Sequence, residues 1–146
     1  MKIIKLGFIS ILAFAVVITL FSLLIPSHIR ISKATDINAV REVIMVQVKD
    51  SANWKNWYPG ADTVKVESAI SAVTDSSVVI NTKGRSESGF ILYNPGIPGI
   101  TTVQWYMDVH LRWYPWEKFS SLLLEKRYGP LMEQGLDKLK KYVTAK

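Results

Sequence analysis

The feature that most constrains this chain is an uncharged apolar run near its start. Residues 6 to 25 contain no charged side chain, and 16 of these 20 residues are apolar. A helix of 20 residues is about 30 Å long at about 1.5 Å per residue, which equals the hydrocarbon thickness of a bilayer. The run predicts a transmembrane anchor over residues 1–26, with the membrane contacted by residues 6–25, and a separate domain over residues 27–146.

A cleaved signal peptide is the rival interpretation, because Lys2 and Lys5 resemble its positively charged start. The apolar run is longer than the roughly 7–15 residues of a signal-peptide core. Its end, residues 22–26, also offers no small-x-small cleavage site. We therefore expect an uncleaved, single-pass membrane protein. The two lysines favour a cytoplasmic N-terminus, although Arg30 and Lys33 on the other side reduce that charge asymmetry.

The composition of residues 27–146 is ordinary for a folded domain and excludes several functions. These 120 residues carry all 12 acidic residues and 16 of the 18 Lys and Arg, a net charge of +4. The chain has no cysteine, which excludes disulfides, a thiol nucleophile and Cys-ligated metal. Two histidines, His28 and His110, are too few for a His-rich metal site. No nucleic-acid motif is visible in the sequence, so we predict no nucleic-acid partner, and we predict no metal, cofactor or catalytic residue.

Alternation of apolar and polar residues predicts an antiparallel sheet. The clearest strand runs from Val103 to Trp113, with apolar side chains at the odd positions and polar or amphipathic ones at the even positions. Further strands are predicted at His28–Lys33, Val64–Glu67, Val78–Ile80 and Phe90–Tyr93.

Two stretches have helical periodicity. After Asn38, a plausible N-cap, Val40, Ile44 and Val48 recur every four residues, although this β-branched run would also allow a strand.

Near the end of the chain, Met132, Leu136, Leu139 and Val143 repeat at helical spacings, and Gly129-Pro130 is expected to separate this helix from a preceding helical segment. An antiparallel sheet with one apolar face needs a cover, and this long helix provides one. The predicted fold class is therefore α+β.

Two groups of residues resemble a known superfamily. The first is a helix start at residues 37–39 followed by an Asp-x-x-Asn-Trp-x-x-Trp corner at residues 50–57. The second is a Thr-x-Val-x-Trp strand at residues 101–105, followed by a closing helix with the pattern Gly-Pro-x-x-Glu-x-Gly-Leu at residues 129–136. Together they resemble membrane-anchored members of the SRPBCC superfamily, the START-like proteins of polyketide cyclase/dehydrase type.

The resemblance covers most of residues 26–143 and implies a helix-grip fold, in which a curved antiparallel sheet wraps around a long C-terminal helix. It also implies an apolar cavity between sheet and helix that binds a lipid, a polyketide or another hydrophobic small molecule. Catalysis occurs in some members only. Between Pro59 and Phe90 the sequence is shorter than the pattern, which indicates a reduced cavity.

Apolar and aromatic side chains of the corner, the last strand and the closing helix are the candidate cavity lining. The candidate ligand-binding residues are Trp54, Trp57, Tyr58, Trp105, Met107, Trp113, Tyr128 and Met132. The alternative for each ring is that it simply fills the core.

Three hypotheses follow for the function. The first is a membrane-anchored domain that binds a hydrophobic small molecule or lipid. The second is a cyclase or hydratase, for which Tyr128 and Arg127 are the nearest polar candidates. The third is an interaction module with a solid core. Asp108, His110 and Arg112 lie on the polar face of the last strand, where a solvated charge ladder is expected more than an oriented Asp–His base.

Overall fold

A computed structural model describes residues 2–61, 70–81 and 86–145 of the chain. The predicted strand at Val64–Glu67 lies outside the described residues. The elements, in chain order, are α1 (Lys2–Leu23), β1 (His28–Ile37), α2 (Arg41–Lys49), a 3₁₀ helix (Ser51–Asn56), β2 (Ile70–Val73), β3 (Ser77–Asn81), β4 (Ser86–Tyr93), β5 (Thr101–His110), α3 (Pro115–Ser121) and α4 (Leu124–Thr144).

The described strands form a five-stranded antiparallel sheet in the order β1-β5-β4-β3-β2. The first strand pairs with the last along its whole length, from His28 opposite His110 to Ile37 opposite Thr101. This pairing brings the start of the domain next to its end. The α+β class and the helix-grip fold are confirmed by this curved sheet and the long C-terminal helix that covers it.

The interior lies between the sheet and α4. The predicted stripe Met132, Leu136, Leu139 and Val143 is buried, and α4 packs mainly against β1. The odd positions of β5 face this helix, so Val103 and Trp105 are buried as the alternation predicts. The β4 end of the same face is covered by α2 and the 3₁₀ helix.

The prediction that Gly129-Pro130 interrupts the last helix is wrong. One continuous helix runs through Pro130, and the break comes earlier, at residues 122–123. The helix continues because apolar residues on both sides of Pro130, such as Tyr128 and Met132, pack on the same core. That shared burial outweighs the single backbone hydrogen bond that proline removes.

Two element boundaries also differ from the prediction. The helix α2 forms despite its β-branched residues, but it begins at Arg41 with Val40 as N-cap, so Asn38 is not the cap. The strand β5 ends at His110 and not at Trp113. Its partner β1 begins at His28, so residues beyond His110 have no opposite strand in this pairing.

The predicted anchor region is helical. It forms α1, whose side chains are almost all exposed, and it is the one helix among the described residues that is long and apolar enough to cross a membrane. A signal sequence has the same properties, so the crossing itself stays a prediction.

Candidate functional site

The corner after α2 places three of the candidate rings under the sheet. The Asp50 side chain accepts a hydrogen bond from the backbone N–H of Ala52 at 3.0 Å and thereby starts the 3₁₀ helix. The tight winding of this 3₁₀ helix directs Trp54, and Trp57 at its C-terminal end, into the core, where each is 1% exposed. Tyr58 packs beside them, half-buried.

These rings meet two others from the sheet and form a five-ring cluster: Trp54, Trp57, Tyr58, Phe90 and Trp105. The ring centroids of Tyr58 and Trp105 are 5.0 Å apart, and those of Phe90 and Trp105 are 5.1 Å apart. Trp57 meets Phe90 edge-on at 5.4 Å. These are contact distances for aromatic pairs, so the rings pack directly against each other.

The three indole N–H groups of the five-ring cluster have different surroundings. Trp54 Nε1 donates to the carbonyl of Val48 at 2.7 Å. Trp105 Nε1 donates to Ser88 Oγ at 3.0 Å, and Ser88 in turn donates to the carbonyl of Tyr106 at 2.9 Å. Trp57 Nε1 is buried and finds no hydrogen-bond partner in the described part of the chain. Buried donors are seldom left unpaired, so this N–H is the polar group in the cluster that needs an explanation.

The remaining interior candidates lie around the cluster. Met132 is 1% exposed and belongs to the core, while Met107 and Tyr128 are half-buried and pack against it. The helix α4 comes very close here. A Cβ at Gly135 would lie 2.7 Å from the Trp105 ring and 2.8 Å from Pro59, so only glycine fits.

The structure does not bring Trp113 to this site. Trp113 is 62% exposed and its ring lies against Tyr114, beyond the end of β5. Phe90, in contrast, belongs to the cluster although the sequence analysis assigned it only to a strand. Its position opposite Trp105 follows from the register of β4 on β5, which one sequence alone does not specify.

Tyr58 is the ionisable ring of the five. Burial raises the pKa of its phenol, so the group keeps at neutral pH the proton that a hydrogen bond to a ligand would use. Arg127, a polar candidate of the enzyme hypothesis, is exposed, and its guanidinium lies over the Tyr128 ring at 5.6 Å.

Two surface grooves lie elsewhere in the fold. One, of about 550 Å³, separates α2 from the β2–β3 turn and is lined by charged and aliphatic side chains, among them Arg41, Met45 and Lys49. The other, of about 440 Å³, runs along the first half of α4 beside Lys33 and Pro130.

The polar face of β5 is less solvated than predicted. Asp108 is only 6% exposed, because the Arg30 guanidinium covers it through two hydrogen bonds, with Nε at 2.7 Å from Oδ1. The hydrogen bond and charge of Arg30 lower the pKa of Asp108. His110 stacks on His28 at 4.6 Å, and His28 Nε2, not His110, lies 3.4 Å from the carboxylate. Asp108 is therefore a structural ion-pair partner of β1.

Comparison with solved structures identifies the fold. The chain is similar to XoxI of Bacillus cereus, with a TM-score of 0.56, 9% identity and coverage of 79% of this chain and 95% of that one. It is similar to the Zhui aromatase/cyclase of a Streptomyces species, with a TM-score of 0.54, 11% identity and coverage of 80% and 94%.

A third similar structure is an AHSA1-like protein of Rhizobium etli, with a TM-score of 0.52, 12% identity and coverage of 82% and 84%. No protein-family model matches the sequence, and no curated protein matches it. At these identities the likeness defines the fold alone. The chain has the helix-grip fold that the sequence resemblance implied.

Proposed function

We propose that this protein is a membrane-anchored, single-pass helix-grip domain that binds a hydrophobic small molecule or lipid at the bilayer surface. The observation that carries the binding proposal is the buried indole N–H of Trp57, which has no hydrogen-bond partner among the described residues and lies within a cluster of five aromatic rings. An apolar surface with one unsatisfied donor matches a ligand with an apolar body and one acceptor, such as a carbonyl or carboxylate.

The binding site in this proposal is formed by the interior candidate residues. The aromatic surface of the site is formed by Trp54, Trp57, Tyr58 and Trp105. The side toward β5 and α4 is formed by Met107, Tyr128 and Met132. Methionine side chains adapt to irregular apolar shapes, which suits a ligand that enters by displacing side chains. The likeness to an aromatase/cyclase supports this proposal as an analogy between folds.

The anchor in this proposal is α1, with the N-terminus on the cytoplasmic side. Its exposed apolar surface would otherwise face water, and a bilayer satisfies that surface along the whole helix. The anchor would hold the binding domain where hydrophobic ligands are concentrated. A reporter protein fused to the C-terminus tests the orientation. If the reporter functions only in the cytoplasm and the fusion is active, the C-terminus is cytoplasmic and the proposed orientation is contradicted.

Native mass spectrometry of the full chain, released from detergent micelles, tests the binding proposal directly. We expect a population heavier than the 16.5 kDa chain by the mass of an apolar molecule. Titration with cis-parinaric acid, read by energy transfer from tryptophan, then measures the affinity.

Two variants provide the matched comparison. Trp57→Phe removes the unpaired donor, and we expect it to weaken the binding of the fatty acid. Trp54→Phe removes an indole that is equally buried but already bonded to Val48, and because a ring remains in the aromatic surface we expect it to weaken binding less than Trp57→Phe does. Equal affinities for the two variants would contradict the role of Trp57 Nε1.

A solid-core interaction module is the second candidate, and the direct contacts among the five rings favour it. It predicts a chain with no bound molecule and no saturable energy transfer. That pair of results would overturn the binding proposal and leave the anchor proposal unaffected.

A further inference from the structure

Five large apolar side chains lie exposed on the segment between β5 and α4. We call them the exterior patch: Trp113, Trp116, Phe119, Leu122 and Leu123, which are 62%, 67%, 41%, 63% and 62% exposed. Five exposed large apolar side chains within 11 residues of sequence are typical of a site of interaction, because burying such surface away from water is favourable.

The helix α3 has an inverted pattern of burial. Its buried residues are the polar Lys118 and Ser121, while its large apolar residues Trp116 and Phe119 face outward. A helix on a water-exposed surface buries its apolar face and exposes its polar one. The inversion indicates that the outer side of α3 faces an apolar environment.

The polar side of α3 is attached to the end of α1. Lys118 Nζ donates to the carbonyl of Ile25 at 2.6 Å and is 2.8 Å from Ser27 Oγ. The two helices are in contact, and Ser22, near the end of α1, is fully buried. A cation near the last carbonyls of a helix is also favoured by the helix dipole.

This attachment fixes the depth of the exterior patch. The helix α1 has 22 residues, which corresponds to about 33 Å, and the hydrocarbon core is about 30 Å thick. A spanning α1 therefore has no spare length, and its last turn lies at the hydrocarbon boundary. Because α3 packs on that turn, the exterior patch must lie at the same level.

The chemistry of the exterior patch suits the interface of a bilayer. Tryptophan and tyrosine concentrate at this level. Tyr114 stacks on Trp116 at a centroid distance of 4.8 Å and meets Trp113 at a tilt, with the centroids 4.9 Å apart. Arg112, Lys126 and Arg127 flank the patch and are exposed, as expected next to phosphate groups.

We propose that the exterior patch inserts into the boundary between headgroups and acyl chains of a phospholipid bilayer and so fixes the orientation of the domain on the membrane. This inference rests on the proposed membrane anchor. A bilayer is the favoured occupant because the patch is continuous with the helix end that enters it. A second copy of this chain on the same surface is an outcome that the test distinguishes.

The absence of native cysteine allows a direct test on the full chain. Single cysteines replace Trp116, Phe119 or Leu123, each carrying an NBD label, in two sets of phosphatidylcholine vesicles. One set contains lipids with a nitroxide near the headgroup, which quenches labels at the interface, and the other contains lipids with a nitroxide deep in the acyl chain, which quenches a label in the middle of α1. Two labelled controls use Phe14, an exposed residue of α1, and Ile97, which is 54% exposed in the turn at the far end of the sheet. We expect quenching at the three patch positions to exceed that at Ile97 severalfold.

Each outcome has one meaning. Quenching at Phe14 with patch labels that behave like Ile97 would overturn the exterior-patch proposal and leave the anchor standing. Labels on the patch that become immobile but are not quenched by lipid would indicate contact with a second copy of the chain, the other protein molecule available in these vesicles, and would overturn the proposal as well. The absence of quenching at Phe14 and at the patch would overturn both proposals.

Discussion

The tripeptide Trp-Tyr-Pro occurs at residues 57–59 and again at residues 113–115, and the two occurrences have opposite surroundings. Trp57 is 1% exposed and contacts three other rings, whereas Trp113 is 62% exposed against a single tyrosine. Both follow a regular element at its end, so local sequence does not explain the difference. The difference comes from what faces each segment. The first is covered by α4 and the sheet, whereas Trp113 lies beyond His110, where the pairing of β5 with β1 has ended.

Aromatic residues alone therefore do not define a pocket, because similar rings are buried in one region and exposed in the other. The rings of the five-ring cluster form packed interior, with one donor that lacks a partner among the described residues, whereas similar rings of the exterior patch form outer surface. The two regions therefore make separable predictions about stability and binding.

The largest expected effect separates the two regions by stability. Trp105→Ala removes a buried ring from the five-ring cluster, and we expect a loss of about 3–5 kcal/mol in the free energy of unfolding. Trp113→Ala removes an exposed ring, and we expect a change within about 0.5 kcal/mol. Urea denaturation of the full chain in mild detergent, followed by circular dichroism, measures both. Similar losses for the two variants would contradict the comparison.

The part of this contrast that the sequence predicts is the burial of Trp105. It lies at an odd position of β5, and the alternation of that strand is visible without any structure. The same alternation wrongly extends the strand to Trp113, because the pattern does not reveal that the partner strand begins at His28. Local periodicity thus predicts which residues share a face, but the length of a strand depends on its distant partner.

A second prediction compares two tryptophans within the cluster. Trp54→Phe and Trp57→Phe remove similar volume from positions of equal burial, but only the first leaves the carbonyl of Val48 without its indole donor. We expect Trp54→Phe to be the more destabilising by about 1–3 kcal/mol, measured by the same denaturation on ligand-free protein. Equal destabilisation would mean that the Trp57 N–H is bonded in solution.

A third prediction concerns the close approach of α4. Gly135→Ala places a methyl group 2.7 Å from the Trp105 ring. We expect a net loss of about 1 kcal/mol, because overpacking costs about 1–3 kcal/mol and the better helix propensity of alanine returns up to about 1. Gly7→Ala in α1 is the matched control, since no described atom lies within 4 Å of the added Cβ. A stabilised Gly135→Ala variant would show that the cluster has room to rearrange.

Local sequence patterns predict some of the contacts at the site but not those between residues that are distant in the chain. The stripe of α4 and the Trp54–Trp57 corner are local patterns, and the structure bears out both as interior. The pairing of Phe90 with Trp105 and the cover of Asp108 by Arg30 join residues far apart in the chain. The register of the sheet brings those residues together, and the identities of the residues alone do not predict that register.

The smallest expected effect is on the outer side of the sheet, near the end that carries the exterior patch. The pKa of Asp108 is lower in the folded chain, mainly because Arg30 hydrogen-bonds to it, so the folded state prefers the ionised carboxylate. The resulting stability is complete above the unfolded pKa of about 3.9 and is lost as the pH falls through the lower folded pKa. Between pH 5 and about pH 2, we expect the free energy of unfolding to fall more steeply for the wild type than for Asp108→Asn. The exposed Asp137, changed to Asn, should follow the wild type. An identical pH profile for Asp108→Asn and the wild type would mean that Arg30 does not hold the carboxylate in solution.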